Sequence, residues 1–120
     1  MTMRDLFTSF SAAAEAFHDA RTALATELKD LGLHDLTPER ALIMVSLAGG
    51  QQTVQQISRN AYFGSNVSYN IAALEKSGYA ELVENAQDRR SKFVRLTVAG
   101  RDVLNRLNAH RTERAAPIAA

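Results

Sequence analysis

Over the first thirty residues an apolar side chain returns every third or fourth position. Met3, Phe7, Phe10, Ala14, Phe17, Leu24, Leu28 and Leu31 share one heptad stripe, broken only by Arg21. No glycine or proline interrupts it and alanine is frequent. The spacing therefore predicts one long helix from about residue 3 to Leu31, ended by Gly32. A helix this long, with three phenylalanines on one stripe, has more apolar surface than a small domain easily covers. Either the stripe meets a second copy of the chain or the helix lies across its own core, and both can hold along different lengths of it. Met3, Phe7, Phe10, Phe17, Leu24 and Leu28 are the candidate interface residues.

Shorter periods follow. Thr37-Pro38-Glu39 reads as a helix start: threonine caps, proline suits the first helical position, and glutamate meets the positive end of the dipole. Ala41, Leu42, Val45 and Ala48 form the expected buried face, and Gly49-Gly50 ends the helix. A third helix is expected from about Val54 to Tyr62, with Val54, Ile57 and Ala61 inward. Phe63-Gly64-Ser65 is a tight turn, and Ser65 can cap a fourth helix over Asn66–Ser77 whose apolar face is Val67, Ile71 and Leu74. Gly78 stops it. Tyr79–Glu84 and Lys92–Leu96 then read as strands around a polar turn, Asn85–Ser91. Thr97 caps a last helix carrying Val103, Leu104 and Leu107, of which Leu104 and Leu107 are expected to add to the interface. Beyond Leu107 the pattern fades into a frayed tail containing Pro117.

Two short helices joined by a glycine-containing turn, followed by a hairpin, make a winged helix-turn-helix. The expected fold is mainly α with a small β-hairpin wing and a long N-terminal dimerisation helix. Its expected divisions are residues 1–32 for that helix, 33–108 for the winged region and 109–120 for a flexible tail.

The length of 120 residues fits one domain with one modest core. No run of about 18 apolar residues is present, so no membrane span is expected. No basic stretch leads into an apolar segment at the N-terminus, so no signal peptide is expected. The absence of cysteine removes disulfides, thiolate metal sites and thiol nucleophiles, and fits a cytoplasmic protein. Net charge is only +1, but it is divided unevenly: residues 1–50 carry four bases against seven acids, and the remainder ten against six. That division predicts a polyanion-binding face in the C-terminal half and a different use for the N-terminal half. The turn between the predicted strands concentrates the charge, with Arg89, Arg90, Lys92 and Arg95 close to Asp88. His18, His34 and His110 are far apart and lack metal-ligand neighbours at helical spacing. No catalytic triad order, carboxylate pair or phosphate loop is visible, so no enzyme, metal or cofactor is expected.

The stretch from Ser65 to Gly100, SNVSYNIAALEKSGYAELVENAQDRRSKFVRLTVAG, resembles the MarR family of bacterial regulators. The ordered matches are Leu74-Glu75, Gly78, Asp88-Arg89-Arg90, Leu96-Thr97 and Gly100. The resemblance extends loosely from about Leu31. It implies a homodimeric winged-helix transcriptional regulator that binds near-palindromic double-stranded DNA, acts as a repressor and is released by a small-molecule effector. It also implies that Arg90 enters the minor groove while Asp88 holds the wing arginine by a charged hydrogen bond. A protein-interaction or adaptor module without a specific DNA target is the alternative. The outward face of the fourth helix, with Ser65, Ser68, Tyr69 and Lys76 and with Asn66 and Asn70 flanking them, supplies the candidate groove contacts. Asn70 can instead be a satisfied, half-buried amide, and Tyr69 can pack on a neighbour. Arg89, Arg90 and Lys92 are candidates in the wing, and Thr53, Gln55 and Arg59 are candidate phosphate contacts. Tyr69 and Ala73 stand where the family commonly carries basic residues. Readout is therefore expected to lean on Ser, Asn and Tyr. The C-terminal part is short, which shifts the dimer contact onto the N-terminal stripe.

Overall fold

Thr2 starts the first helix. Its hydroxyl accepts from the Asp5 N–H at 3.2 Å while its own N–H donates to the Asp5 carboxylate at 2.9 Å, a reciprocal cap. These bonds, the backbone one foremost, hold the Asp5 carboxyl below its ordinary range. The helix, α1, spans Met3–Asp30. In a computed structural model that describes residues 1–59 and 66–115, only the end of the stripe reaches the core of its own chain. Every residue from 3 to 23 is exposed, whereas Leu24 and Leu31 pack against the core and Leu28 lies within it. Leu28 is thus an interior residue of its own chain and leaves the list of interface candidates. Arg21, the break in the stripe, marks the transition: its Nε donates to Glu39 at 2.6 Å.

That acid belongs to α2, Pro38–Leu47, which Thr37 caps by accepting from the Arg40 N–H at 3.2 Å. The buried side of α2 is Ala41, Ile43, Met44 and Leu47, while Val45 is 56% exposed and Ala48 is exposed. The expected face was therefore rotated. Apolar residues run around much of this helix, and α1, the helix over Val67–Lys76, the strand Phe93–Leu96 and the helix Val98–Ala115 all pack against it. Only those neighbours decide which of its apolar series lies deepest.

A short strand, β1 (Gln52–Thr53), follows and was not anticipated. It precedes α3 (Val54–Ser58), α4 (Val67–Lys76), β2 (Ala80–Val83), β3 (Phe93–Leu96) and α5 (Val98–Ala115). The sheet is antiparallel in the order β1-β3-β2, with Thr53 opposite Phe93 and Val83 opposite the same Phe93. So the hairpin is not a free pair. A third strand from just ahead of the helix-turn-helix seals its inner edge, which gives the wing a fixed base. Thr53 also caps α3, accepting from the Gln56 N–H at 3.1 Å.

Two glycines make the turns between these elements possible. Gly78, at φ 81°, lets the chain leave α4: its N–H bonds Glu75 and the Tyr79 N–H bonds the Leu74 carbonyl at 2.9 Å. Gly100 lies where the first turn of α5 crosses that exit. A Cβ there would run into the Tyr79 carbonyl oxygen. Thr97 completes the junction by donating to the Gly78 carbonyl at 2.6 Å and accepting from the Gly100 N–H at 3.1 Å.

The last helix is longer than its apolar pattern. It continues past Leu107 to Ala115, through the first residues of the expected tail. Arginine and alanine favour helix without needing a buried face, and two hydrogen bonds tie α5 to α1 and its end. Arg111 Nη1 donates to the buried Glu27 at 2.9 Å, and Arg106 Nη2 donates to the Leu31 carbonyl at 3.2 Å, at the negative end of α1. Leu104 and Leu107 are buried inside this chain, so they are core residues and not the interface residues expected. The radius of gyration is 16.9 Å, against about 14 Å for a compact chain of this length. The excess reflects α1 standing off the body.

Candidate nucleic-acid interface

The helix-turn-helix is α3 and α4, packed against each other beside α2. Val67, Ile71 and Leu74 point into the core, as their spacing requires. Asn66, Ser68, Tyr69 and Lys76 are exposed on the other side, with Ala72 between them. Asn66 precedes the first turn and makes no side-chain cap bond, which leaves its amide free of α4. Ser65, Ala61, Tyr62 and the Phe63-Gly64 turn lie outside the described residues.

Of the two readings open to Asn70, the structure shows the satisfied amide and not the groove contact. It is 8% exposed, and its Oδ1 accepts from Arg40 Nε at 3.1 Å. It follows Tyr69 directly and precedes Ile71, so it sits on the edge where the outer face turns inward, and α2 covers it. Tyr69 is 69% exposed, with the Arg40 guanidinium 5.7 Å from its ring centroid. Arg40 thus joins the site without having been a candidate. Nothing in the linear sequence relates it to residues thirty positions away. Its Nη1 also donates to the Asp35 carbonyl at 3.3 Å, and the Asp35 carboxylate accepts from the Tyr79 hydroxyl at 3.3 Å. Burial, and then the Asp35 carboxylate, hold the Tyr79 hydroxyl above its ordinary pKa.

The wing is less uniformly basic in space than in sequence. The antiparallel register sets Glu81 opposite Arg95, whose Nε donates to it at 2.6 Å. Lys92 lies 3.5 Å from Glu84. Counting bases along the turn against Asp88 alone missed both acids, because they lie on the other strand. Arg89 and Arg90 remain as the projecting charges, and the Arg90 side chain is 95% exposed. Asp88 accepts from the Arg90 backbone N–H at 3.0 Å, while its oxygen is 3.6 Å from Arg90 Nε. It shapes the turn through the backbone and does not clamp the guanidinium, since 3.6 Å is too long for a hydrogen bond. Gln55 and Arg59 are exposed at α3, and Thr53 is half-buried with its hydroxyl engaged in the cap. Among the described residues no group of three or more His, Asp or Glu could hold a metal ion. None of their helices is long and apolar enough to cross a membrane.

This arrangement defines a winged helix: a two-helix reader whose outer face is small and polar, beside a three-stranded wing with an arginine tip. Residues 36–100 match the winged helix DNA-binding domain family, and the chain belongs to it. The chain is 31% identical over 81 residues to the exopolysaccharide II synthesis transcriptional activator ExpG of Rhizobium meliloti strain 1021, covering 67% of this chain and 42% of that protein. It spans about half the length of the curated relatives it matches. Its fold is that of MarR family regulators. The transcriptional regulator BldR from Sulfolobus solfataricus superposes with a TM-score of 0.77 at 18% identity, covering 98% of this chain and 88% of that one. A MarR family transcriptional regulator from Streptomyces coelicolor, solved in complex with DNA, superposes at 0.69 with 23% identity, covering 92% and 68%. Family and fold are those of winged helix DNA-binding domains.

Proposed function

We propose that this protein is a homodimeric, sequence-specific transcriptional regulator of double-stranded DNA that acts as a repressor on a near-palindromic operator. The carrying observation is α4, with a fully buried stripe behind an exposed face of Asn66, Ser68, Tyr69 and Lys76. Small and polar side chains let a helix sit deep in a major groove about 12 Å wide, and its first turns reach the base edges. Arg89 and Arg90 carry the projecting positive charge of the wing and suit a minor groove. Gln55, Thr53 and Lys92 supply backbone contacts. These position the reader without specifying sequence. Any contact from Ser65 would come from just ahead of Asn66.

The dimer rests on Met3, Phe7, Phe10 and Phe17. Phe7 and Phe10 are 71% and 76% exposed on one helix face. Monomeric proteins rarely expose apolar patches beyond a few hundred Å², and a second copy of the same stripe would cover this one as a coiled coil does. Two-fold symmetry in the protein then favours two-fold symmetry in the site. The family resemblance adds release by a small-molecule effector, a cytoplasmic location at the nucleoid and action by binding without chemistry.

A salt titration of duplex binding tests the reading. Affinity should fall steeply between about 50 and about 200 mM salt, because each phosphate neutralised releases counterions. Selection from random duplexes should enrich an inverted repeat. Binding that is salt-independent, or absent at low salt, would count against DNA as the partner.

A further inference from the structure

Arg40 makes three contacts at once. Nε donates to Asn70 Oδ1 at 3.1 Å, Nη1 donates to the Asp35 carbonyl at 3.3 Å, and the guanidinium lies 5.7 Å from the Tyr69 ring centroid. Guanidinium chemistry permits this combination, since its edge bonds in a fixed fork while its flat face is free to meet an aromatic ring. The two α4 residues it touches are neighbours of opposite character. Asn70 is 8% exposed, and its carbonyl oxygen would be stranded without Nε. Tyr69 is 69% exposed and belongs to the outer face. A guanidinium that served only to satisfy Asn70 would have no need of the ring. The anchor is in turn fixed from behind: Asp35 accepts from the hydroxyl of Tyr79, the residue that follows Gly78 at the exit of α4. Asp35 and Arg40 together therefore grip α4 in its first turns and just past its end.

We propose that Arg40 is the positioning residue for base readout. It presets the orientation of the Tyr69 ring and, through Asn70, the rotation of α4 about its axis. The base that Tyr69 meets is then decided by a residue on α2 that need not touch DNA. A ring already ordered in the free protein loses less freedom on binding than one that samples several rotamers. The inference rests on the proposed role of α4 as the reading helix.

The test is selection from a random duplex pool with wild type, Tyr69→Ala, Arg40→Gln, Arg40→Lys and the double variant Arg40→Gln with Tyr69→Ala, alongside thermal melting of each. Tyr69→Ala should relax preference about tenfold at one position of each half-site. Arg40→Gln should relax the same position, and the double variant should relax it no further than Tyr69→Ala alone. Arg40→Lys keeps the charge but not the fork, so it should behave as Arg40→Gln. If the Arg40 variants enrich the wild-type motif while Tyr69→Ala does not, the positioning role is overturned and the reading of α4 stands. Loss spread evenly over all positions in step with falling melting temperature also overturns it, as a purely structural role would give that result. A wild type that enriches no motif overturns both. One measurement avoids substitution at Arg40 altogether. The Arg40 Nε–H resonance of the free protein should carry a ring-current shift that Tyr69→Leu abolishes, and a shift unchanged by that variant overturns the stacking.

Discussion

α1 and α4 carry apolar stripes of the same helical period, and the molecule uses them in opposite ways. In α4 the stripe is Val67, Ile71 and Leu74, all buried, and the face proposed to read DNA is the polar one. In α1 the stripe from Met3 to Phe17 is exposed, and burial starts only at Leu24. The body formed by α2 to α5 and the sheet already encloses a core without Phe7, Phe10 or Phe17. An amphipathic pattern therefore predicts that a face will be covered, not by what. For α4 the cover is the same chain. For Met3 to Phe17 of α1 no described part of the same chain supplies the cover, and the proposed dimer would supply it from a second copy of the same heptad.

The strongest way to break this comparison is at the phenylalanines. Phe10→Asp with Phe17→Asp should convert the dimer to a monomer that keeps a cooperative melting transition, because these side chains touch no core. Sedimentation at tens of micromolar, on the order of ordinary dimer affinities, reads it directly. A wild type that sediments as a monomer there would remove the distinction between the two stripes. The reciprocal change is Leu74→Ala, which empties a fully buried site of α4. It should cost about 2–5 kcal/mol of stability in urea unfolding while leaving the folded fraction dimeric. A cost below about 1 kcal/mol would mean that the site collapses around the smaller side chain.

A third comparison uses charge. Arg89→Ala with Arg90→Ala should change stability by no more than about 0.5 kcal/mol, because the wing tip is exposed. The same pair should flatten the salt dependence of duplex binding by about one to two per monomer. An unchanged slope would place the wing away from phosphate. The smallest effect lies on the seam between the two regions, where Arg21 of α1 meets Glu39 of α2 at 2.6 Å. The hydrogen bond from Arg21 holds the Glu39 carboxyl below its ordinary value. A depressed carboxyl stabilises the fold above its unfolded pKa, and that contribution disappears as pH falls through the folded value. Arg21→Gln should therefore lower the melting temperature slightly at neutral pH. The difference should vanish in acid, below the ordinary glutamate range of about 4.3. A difference that persists at low pH would assign the effect to packing instead.

Much of the fold was legible because it depends on neighbours in sequence. The capping threonines at positions 37 and 97 are local hydrogen-bond devices of this kind, and those at 2 and 53, equally local, were not singled out. Gly78 answers local geometry, a left-handed helix exit, whereas the need for Gly100 comes from the Tyr79 carbonyl of another element. The α4 stripe could be assigned because Ser, Asn and Lys occupy its other face. In α2 no such contrast existed, and the buried side came out as Ile43, Met44 and Leu47 in place of Val45 and Ala48. Within the candidate site, Ser68 and Tyr69 lie outward as the wheel placed them, whereas Asn70, at the flank of that face, is covered because α2 lies beside it.

By itself the sequence determined the order of the helices and the hairpin, the caps at Thr37 and Thr97, the stripe of α1 and the basic charge of the hairpin turn. All of these follow from periods of 2 and 3.6 and from hydrogen bonds spanning a few residues. The tertiary structure alone decided that α1 is buried only from Leu24 onward, that β1 closes the sheet, and that Leu104 and Leu107 are core. It also decided that Glu81 and Glu84 offset two of the wing bases, and that Arg40 grips Tyr69 and Asn70. Each of these depends on residues far apart in the chain meeting across an interface. Their energies are set by what lies opposite, and a one-dimensional pattern carries no record of that.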